Sequence, residues 1–401
     1  MLVCRGLSPL RQAVKLNRKP LVSGESSPHA WVENACPKVP MSESPHHRRT
    51  VIGLMSGSSA KGVDAALIST DGENFVKFHG GLRHPYDNEL RSRILEASQH
   101  NVRLDELLFL EREITLHHAA TVEVLKQQLG TIANSAKLIG FHGHTVRHMP
   151  TEGVTMQLGN PWLLAEKSGL QVVSDFRRRD MARGGRGAPL ASFFHQALFH
   201  DKSFPVGVLN LGGIANLTWL SPDGSIVAAD TGPGCGLLDE WAQEMAGLSH
   251  DIDGQLASRG TVHQTLVDDF LSAPYFQRPL PKSAERFAFD HIDVSGLSVE
   301  DGAATLCAVT VGAVEAAIDK MPGPLGILWV TGGGAHHPVI MQSLRDRFPM
   351  VQTIDQRNLS PVTLEAECFA WLAVRSLRNL PLTIPETTGC SQPTTGGFVT
   401  P

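Results

Sequence analysis

The chain has 401 residues, 42% of them hydrophobic and 19% charged, the balance of a soluble globular protein with room for two or three cored domains. Its 35 basic and 40 acidic side chains leave a net charge of −5, which gives no electrostatic case for nucleic acid or an anionic membrane as partner. No run of about 18 uninterrupted apolar residues predicts a membrane span, and six scattered cysteines without a C-x-x-C pair argue against a disulfide framework or structural zinc and fit a reducing, cytoplasmic setting.

Residues 1–24 carry Arg5, Arg11, Lys15, Arg18 and Lys19 without an acid, a pattern shared with transit peptides. A start at Met41 explains it equally well, and residues 1–49 are expected to be disordered on either account. The first glycine-rich hairpin follows, with Val51–Leu54 leading in and Ala65–Ile68 leading out. Asn88–Leu129 has helical apolar spacing. Leu138–Phe141 reads as a strand running into His142-Gly143-His144, Met156–Leu158 as another, and Pro161–Ser168 as a helix stopped by Gly169. Val172–Asp175 is a strand that enters the polar stretch Phe176–Pro189. A second hairpin repeats the first, with Val206–Leu209 in and Leu217–Leu220 out. The strand Ile226–Ala229 ends on Asp230 before the turn Gly232-Pro233-Gly234, and Leu237–Met245 reads as a helix. Residues 261–320 read as largely helical with a break at Pro274–Pro281. Leu325–His337 is a third strand with a glycine turn, 361–377 a helix, and the tail irregular. Strands alternating with helices indicate an α/β protein, and the repeated hairpin a duplicated unit.

Three glycine turns, each leaving an apolar strand, suit backbone N–H groups closing on an anionic oxygen. Neither the P-loop nor the dinucleotide fingerprint fits them; for any one of them a plain turn is the commoner reading, while three in one chain favour the phosphate-binding one. Asp230, at a strand's end, stands where α/β folds bind ligands and is a candidate general base; a turn-capping Asp reads the same locally. The run Arg177–Arg179, flanked by Asp175 and Asp180, is either a solvated face or an ordered anion-binding loop. The 18 histidines form no metal motif and are expected mostly at the surface or in supporting positions.

Beyond about Val51 the chain is similar to the anhydro-N-acetylmuramic acid kinase family. The likeness rests on GLMSGSSAKGVD, GFHGHTVRH, QLGNPWLLAE, DFRRRDMARGGRGAPL, FHQALF, LNLGGIANLT, DTGPGCGLLDEW, PKSAER, EDGAATL, TGGGAHHP and the PLTIPETTGCSQPTTGG tail. It implies two actin-like (ribonuclease H-like) α/β lobes, 50–175 plus 365–401 and 176–364, with a nucleotide and sugar cleft between them. It implies a kinase that uses ATP, Mg²⁺ and water to convert 1,6-anhydro-N-acetylmuramic acid into N-acetylmuramic acid 6-phosphate in peptidoglycan recycling, and it suggests a homodimer. Asp230 would activate the water. Gly57, Ser58, Ser59, Lys61, Gly62 and Asp64 with Gly212 and Gly213 would hold phosphates, and Gly332, Gly333 and Gly334 would face the nucleoside. His142, Thr145, Asn160 and Arg178 would touch the sugar; no residue is assigned to the metal.

The chain departs from that family at Lys61, usually Asp, and at His144, Arg186, Cys235 and His337, where Gln, Gln, Asn and Asn are usual. These departures define the alternative: a catalytically silent or substrate-shifted sugar- or nucleotide-binding protein.

Overall fold

The computed structural model describes residues 48–201, 203–284, 289 and 292–401. The expectations for residues 1–47, and Glu285 and Arg286 of the PKSAER motif, lie outside them. Arg49 already opens a strand, inside the stretch expected to be without structure.

The apolar runs of the first hairpin become β1 (Arg49–Ser56) and β2 (Gly62–Thr70), paired antiparallel with Val51 opposite Ile68 and Leu54 opposite Ala65. Both are almost wholly buried, so they read as continuous hydrophobic strands rather than alternating ones. β3 (Val76–Pro85) pairs antiparallel with β2. It was not foreseen: as a half-exposed outer strand containing Gly80 and Gly81, it has neither alternation nor an apolar run. β4 (Leu138–Met149) and β6 (Gln171–Ser174) extend the sheet in parallel beyond β1, while β5 (Val154–Leu158) folds back on β4. The order is β3-β2-β1-β4-β6.

The second sheet repeats that path. β7 (Val206–Leu211), β8 (Ile214–Leu220) and β9 (Ile226–Pro233) form an antiparallel meander, and β10 (Ile327–Thr331) and β11 (Val351–Thr353) add in parallel to β7. Its order, β9-β8-β7-β10-β11, is that of the first sheet strand for strand. Two copies of this arrangement are the actin-like, ribonuclease H-like architecture. The tail returns as β12 (Phe398–Val399), antiparallel to β6, so it is not wholly irregular.

The helix Leu364–Leu377 lies across β1, β2 and β4. Gly53 and Gly140 are partners in the parallel register, and a Cβ on either would overlap the helix carbonyls of Ala366 and Phe369. This pair of glycines therefore sets how closely the helix backbone sits on the sheet. One apolar cluster joins that helix to both sheets, through Val51 and Met55 on one and Val206, Val208 and Trp329 on the other.

Two other expectations need correction. Asn88–Leu129 is two helices, Asn88–Gln99 and Leu104–Leu129. The guanidinium of Arg147 donates to the carbonyls of Ala97, Ser98 and His100 and so closes the first helix from a distant strand. Residues 261–320 hold the helices Gln264–Leu271, Pro274–Gln277 and Val299–Ile318, with an irregular stretch before the last. Val299–Ile318 is long and apolar enough to cross a membrane, but it carries Glu300, Asp301 and Glu315 and is mostly buried in the second core. Five histidines, His118, His142, His144, His195 and His337, are buried. His195 bonds Thr218 across 2.9 Å, and burial lowers its pKa to about 3, so it stays neutral.

Candidate active site

The three glycine turns converge. Gly212 and Gly213 join β7 to β8, and their carbonyls accept from the amides of Cys235 (2.7 Å) and Gly234 (2.9 Å) at the end of β9. A Cβ on Gly213 would stand 3.5 Å from Ser58 Oγ, so the first turn faces the second. Gly332 and Gly334 pack on Asn210, Leu211 and Cys235, which brings the third turn alongside.

The glycines of these turns differ in why they are glycine. Gly62 (φ 153°) and Gly332 (φ 83°) have backbone angles that a side chain rarely adopts, and each packs against backbone. Gly57 and Gly333 have neither reason: a Cβ there would meet no atom within 4 Å, and neither has a positive φ. The first turn is closed by the Ala60 amide on Gly57 O at 2.9 Å, with Ala60 itself buried at φ 49°, a strained angle for alanine. Ser58, Ser59 and Lys61 stand exposed or partly so around it.

Lys61 acts electrostatically on Asp239 and Cys235, at the start of the helix Gly236–Ala246. Burial pushes Asp239 up to about 6, with Lys61 opposing, and pushes the Cys235 thiol up to about 12, which leaves it protonated. Asp64 is held by both oxygens on Arg83, at 2.5 and 2.8 Å. Burial still raises its pKa against that guanidinium.

Asp230 is 7% exposed. Its Oδ2 accepts from the Ala284 amide at 2.9 Å, its own amide donates to Lys282 O at 2.9 Å, and its carbonyl accepts from the Tyr275 hydroxyl at 2.8 Å. Burial raises its pKa to about 6, with the Ala284 hydrogen bond and the charges of Arg177, Lys282 and Arg186 pulling the other way. That value suits a base that must be ionised yet avid for a proton near neutral pH.

The arginine run splits. Arg177 turns inward, donating from Nε to His142 Nε2 at 3.1 Å and from Nη1 to Gly187 O at 2.6 Å. Its charge reaches Asp230, Glu365 and Asp180. Arg178 points out, 65% exposed beside Asp175. Arg177 precedes the short helix Arg178–Ala182, and the first two residues of that helix, Arg178 and Arg179, are both exposed. Because Arg177 donates to Nε2, His142 is neutral with its Nδ1 hydrogen on Gly143 O at 3.1 Å, so both ring nitrogens are taken within the protein. Asn160 caps the helix Pro161–Ser168 through Leu163 N at 3.0 Å, and Thr145 accepts from Gln157 at 3.3 Å. Of the four residues expected on the sugar, His142 is the one with both ring nitrogens bonded within the protein.

Sequence reasoning missed Arg83, Asn210, Asp239, Tyr275, Lys282 and Glu365. Glu365 stands exposed in the first turn of its helix and accepts from Asn210 Nδ2 at 3.2 Å, which ties that helix to β7. The surrounding protein and the nearby Asp64 raise its pKa. A glutamate among apolar neighbours was the available signal. Among the described residues, no three His, Cys, Asp or Glu side chains gather as a metal cage.

A family model described as anhydro-N-acetylmuramic acid kinase matches residues 49–401. The kinase of that description from Gluconobacter oxydans is 44% identical over 359 residues, covering 86% of this chain and 98% of its own. That from Paramagnetospirillum magneticum is 43% identical over 350 residues, with coverages of 86% and 98%. Among solved structures, the activator of 2-hydroxyisocaproyl-CoA dehydratase from Clostridium difficile aligns with a TM-score of 0.42 and 11% identity, over 82% of this chain and 96% of that one.

Proposed function

Since the chain belongs to the anhydro-N-acetylmuramic acid kinase family, we propose that it is an ATP-dependent sugar kinase. It opens 1,6-anhydro-N-acetylmuramic acid with water and phosphorylates O6, giving N-acetylmuramic acid 6-phosphate for peptidoglycan recycling. The observation that carries the chemistry is Asp230: its buried carboxyl is shifted to about 6 and accepts one hydrogen bond, from the Ala284 amide, while two more hold its backbone.

In this reading the Asp230 carboxylate takes a proton from water as the water oxygen attacks the anomeric carbon. The bond from that carbon to O6 breaks, and O6 attacks the γ-phosphorus of ATP as the β,γ-bridge breaks and ADP leaves. Arg177, held by His142 and Gly187, faces the developing negative charge. Gly57, Ser58, Ser59, Gly212, Gly213 and Gly333 present backbone to the triphosphate, and Lys61 adds a cation that can approach a phosphate oxygen. The bare surroundings of Gly57 and Gly333 support this, because no protein neighbour requires glycine there. Phosphoryl transfer then depends on in-line positioning and charge neutralisation.

Mg²⁺ bound with ATP takes most of its ligands from phosphate and water, so one or two carboxylates suffice, and it would neutralise charge on the transferring group. Glu365 fits that donor set better than Asp64, whose oxygens Arg83 already takes. A homodimer in a reducing compartment completes the reading; Cys235, Cys307, Cys368 and Cys390 are free thiols. Among the described residues of the site, nothing favours the silent alternative.

Asp230→Asn tests the assignment. It should lower kcat at least about 100-fold while ATP and sugar still bind in calorimetry. A variant turning over like the wild type would remove Asp230 from the mechanism.

A further inference from the structure

Lys282 is a buried ammonium that the scheme above does not use. It is 2% exposed. Its Nζ donates to the Tyr275 carbonyl at 3.2 Å and lies 4.3 Å from the Tyr275 ring centroid and 5.5 Å from that of Phe276. Among the described residues, one carbonyl and two ring faces compensate for the desolvation of this cation.

The segment that carries the cation holds Asp230, and the two charges act on each other. The main chain of Lys282 accepts the Asp230 amide, Tyr275 donates its hydroxyl to the Asp230 carbonyl, and Ala284 donates its amide to the carboxylate. Residues 275–284 thus grip Asp230 at its amide, carbonyl and side chain, and the Lys282 ammonium ties one part of that grip to the other through Tyr275. Arg177 and Arg186 face Asp230 from the arginine loop. Lys282 is faced by Arg278 from its own segment and by Lys320 from beyond the helix Val299–Ile318, and Lys320 is itself bonded to the Phe276 carbonyl.

We infer that Lys282 is a positioning residue for the base: it locks the segment that grips Asp230 and supplies a cation that keeps the carboxylate ionised. The inference rests on Asp230 being that base. With Arg278 and Lys320 beside it, burial lowers the Lys282 pKa to about 8, so the ammonium is present through neutral pH.

The test compares Lys282→Met, Lys282→Arg, Tyr275→Phe and Asp230→Asn. Each is followed by the pH profile of kcat with ATP and the anhydro-sugar, and by ¹³C NMR of protein labelled at the aspartate carboxyls. Asp230→Asn identifies the Asp230 resonance by its loss. Removing the cation disfavours the anion, so in Lys282→Met the Asp230 resonance and the acid limb of kcat should both move to higher pH, by about one unit. That shift costs about tenfold in kcat below the limb, where one unit is a factor of ten in the ionised fraction. The KM for ATP should stay within about twofold. Lys282→Arg should keep the wild-type limb. An unmoved Asp230 titration in Lys282→Met overturns the inference. If Lys282→Met does not fold, Lys282→Arg and Tyr275→Phe decide: both strain the grip and should lower kcat at least about threefold with the limb in place. Wild-type kcat in both then overturns it. Wild-type turnover by Asp230→Asn would instead overturn the base assignment.

Discussion

Asp230 and Arg177 show how much of this site depends on single side chains being forced into a low-dielectric setting. Ionised Asp230 is disfavoured in the fold, with its pKa raised from 3.8 to about 6. A raised carboxyl pKa means that the native state gains stability as pH falls from above 6 toward 4 and loses it as the group ionises. At neutral pH the charge therefore costs roughly 3 kcal/mol. Two outcomes follow: kcat should fall as pH drops through about 6, and Asp230→Asn should melt no lower than the wild type in calorimetry even though it is inactive. Arg177 and Arg178 separate on the same logic. Arg177→Met leaves His142 without its donor and should lower kcat at least about tenfold, whereas Arg178→Met on the exposed side should stay within about twofold. Equal effects in steady-state assays would return Arg178 to the site. The sequence offered three adjacent arginines without saying which one turns inward, because His142 and Gly187, which hold Arg177, reach it only in the fold.

At the scale of elements, glycine does two kinds of work that the sequence spells alike. Gly53 lies under the backbone of the helix Leu364–Leu377, so Gly53→Ala must push helix from sheet and should cost about 2 kcal/mol or more in denaturant unfolding. Gly57 has no such neighbour. Gly57→Ala should leave stability within about 0.5 kcal/mol yet raise the KM for ATP several-fold, if its amide approaches a phosphate. A Gly57→Ala protein with unchanged KM would take the first turn out of the phosphate site. The hairpin strands were legible because their apolar runs are long and bounded by turn residues. β3 and the break after Gln99 were not, since a half-exposed strand has no periodicity and the helix end is capped by Arg147 from a distant strand.

Across the whole molecule, the two repeated sheets meet through one apolar cluster and through the Asn210–Glu365 hydrogen bond. Glu365 thereby belongs to both halves, and its charge is held beside Asp64, Arg83 and Arg177. Glu365→Gln should raise the Mg²⁺ concentration needed for half-maximal activity at least about fivefold, measured at saturating ATP. An unchanged Mg²⁺ requirement would exclude it as a metal ligand. The sequence by itself determined the α/β class, the duplicated hairpins, the three glycine turns and Asp230 at a strand's end, because each is written in neighbouring residues: apolar runs, turn chemistry and one carboxylate before Gly-Pro-Gly. Only the tertiary structure decided that Arg177 faces inward, that His142 serves it, that Asp64 is spent on Arg83, and that Tyr275, Lys282, Ala284 and Glu365 surround the site. Those contacts join residues far apart in the chain, and burial, which sets their charge, exists only once the sheets have packed.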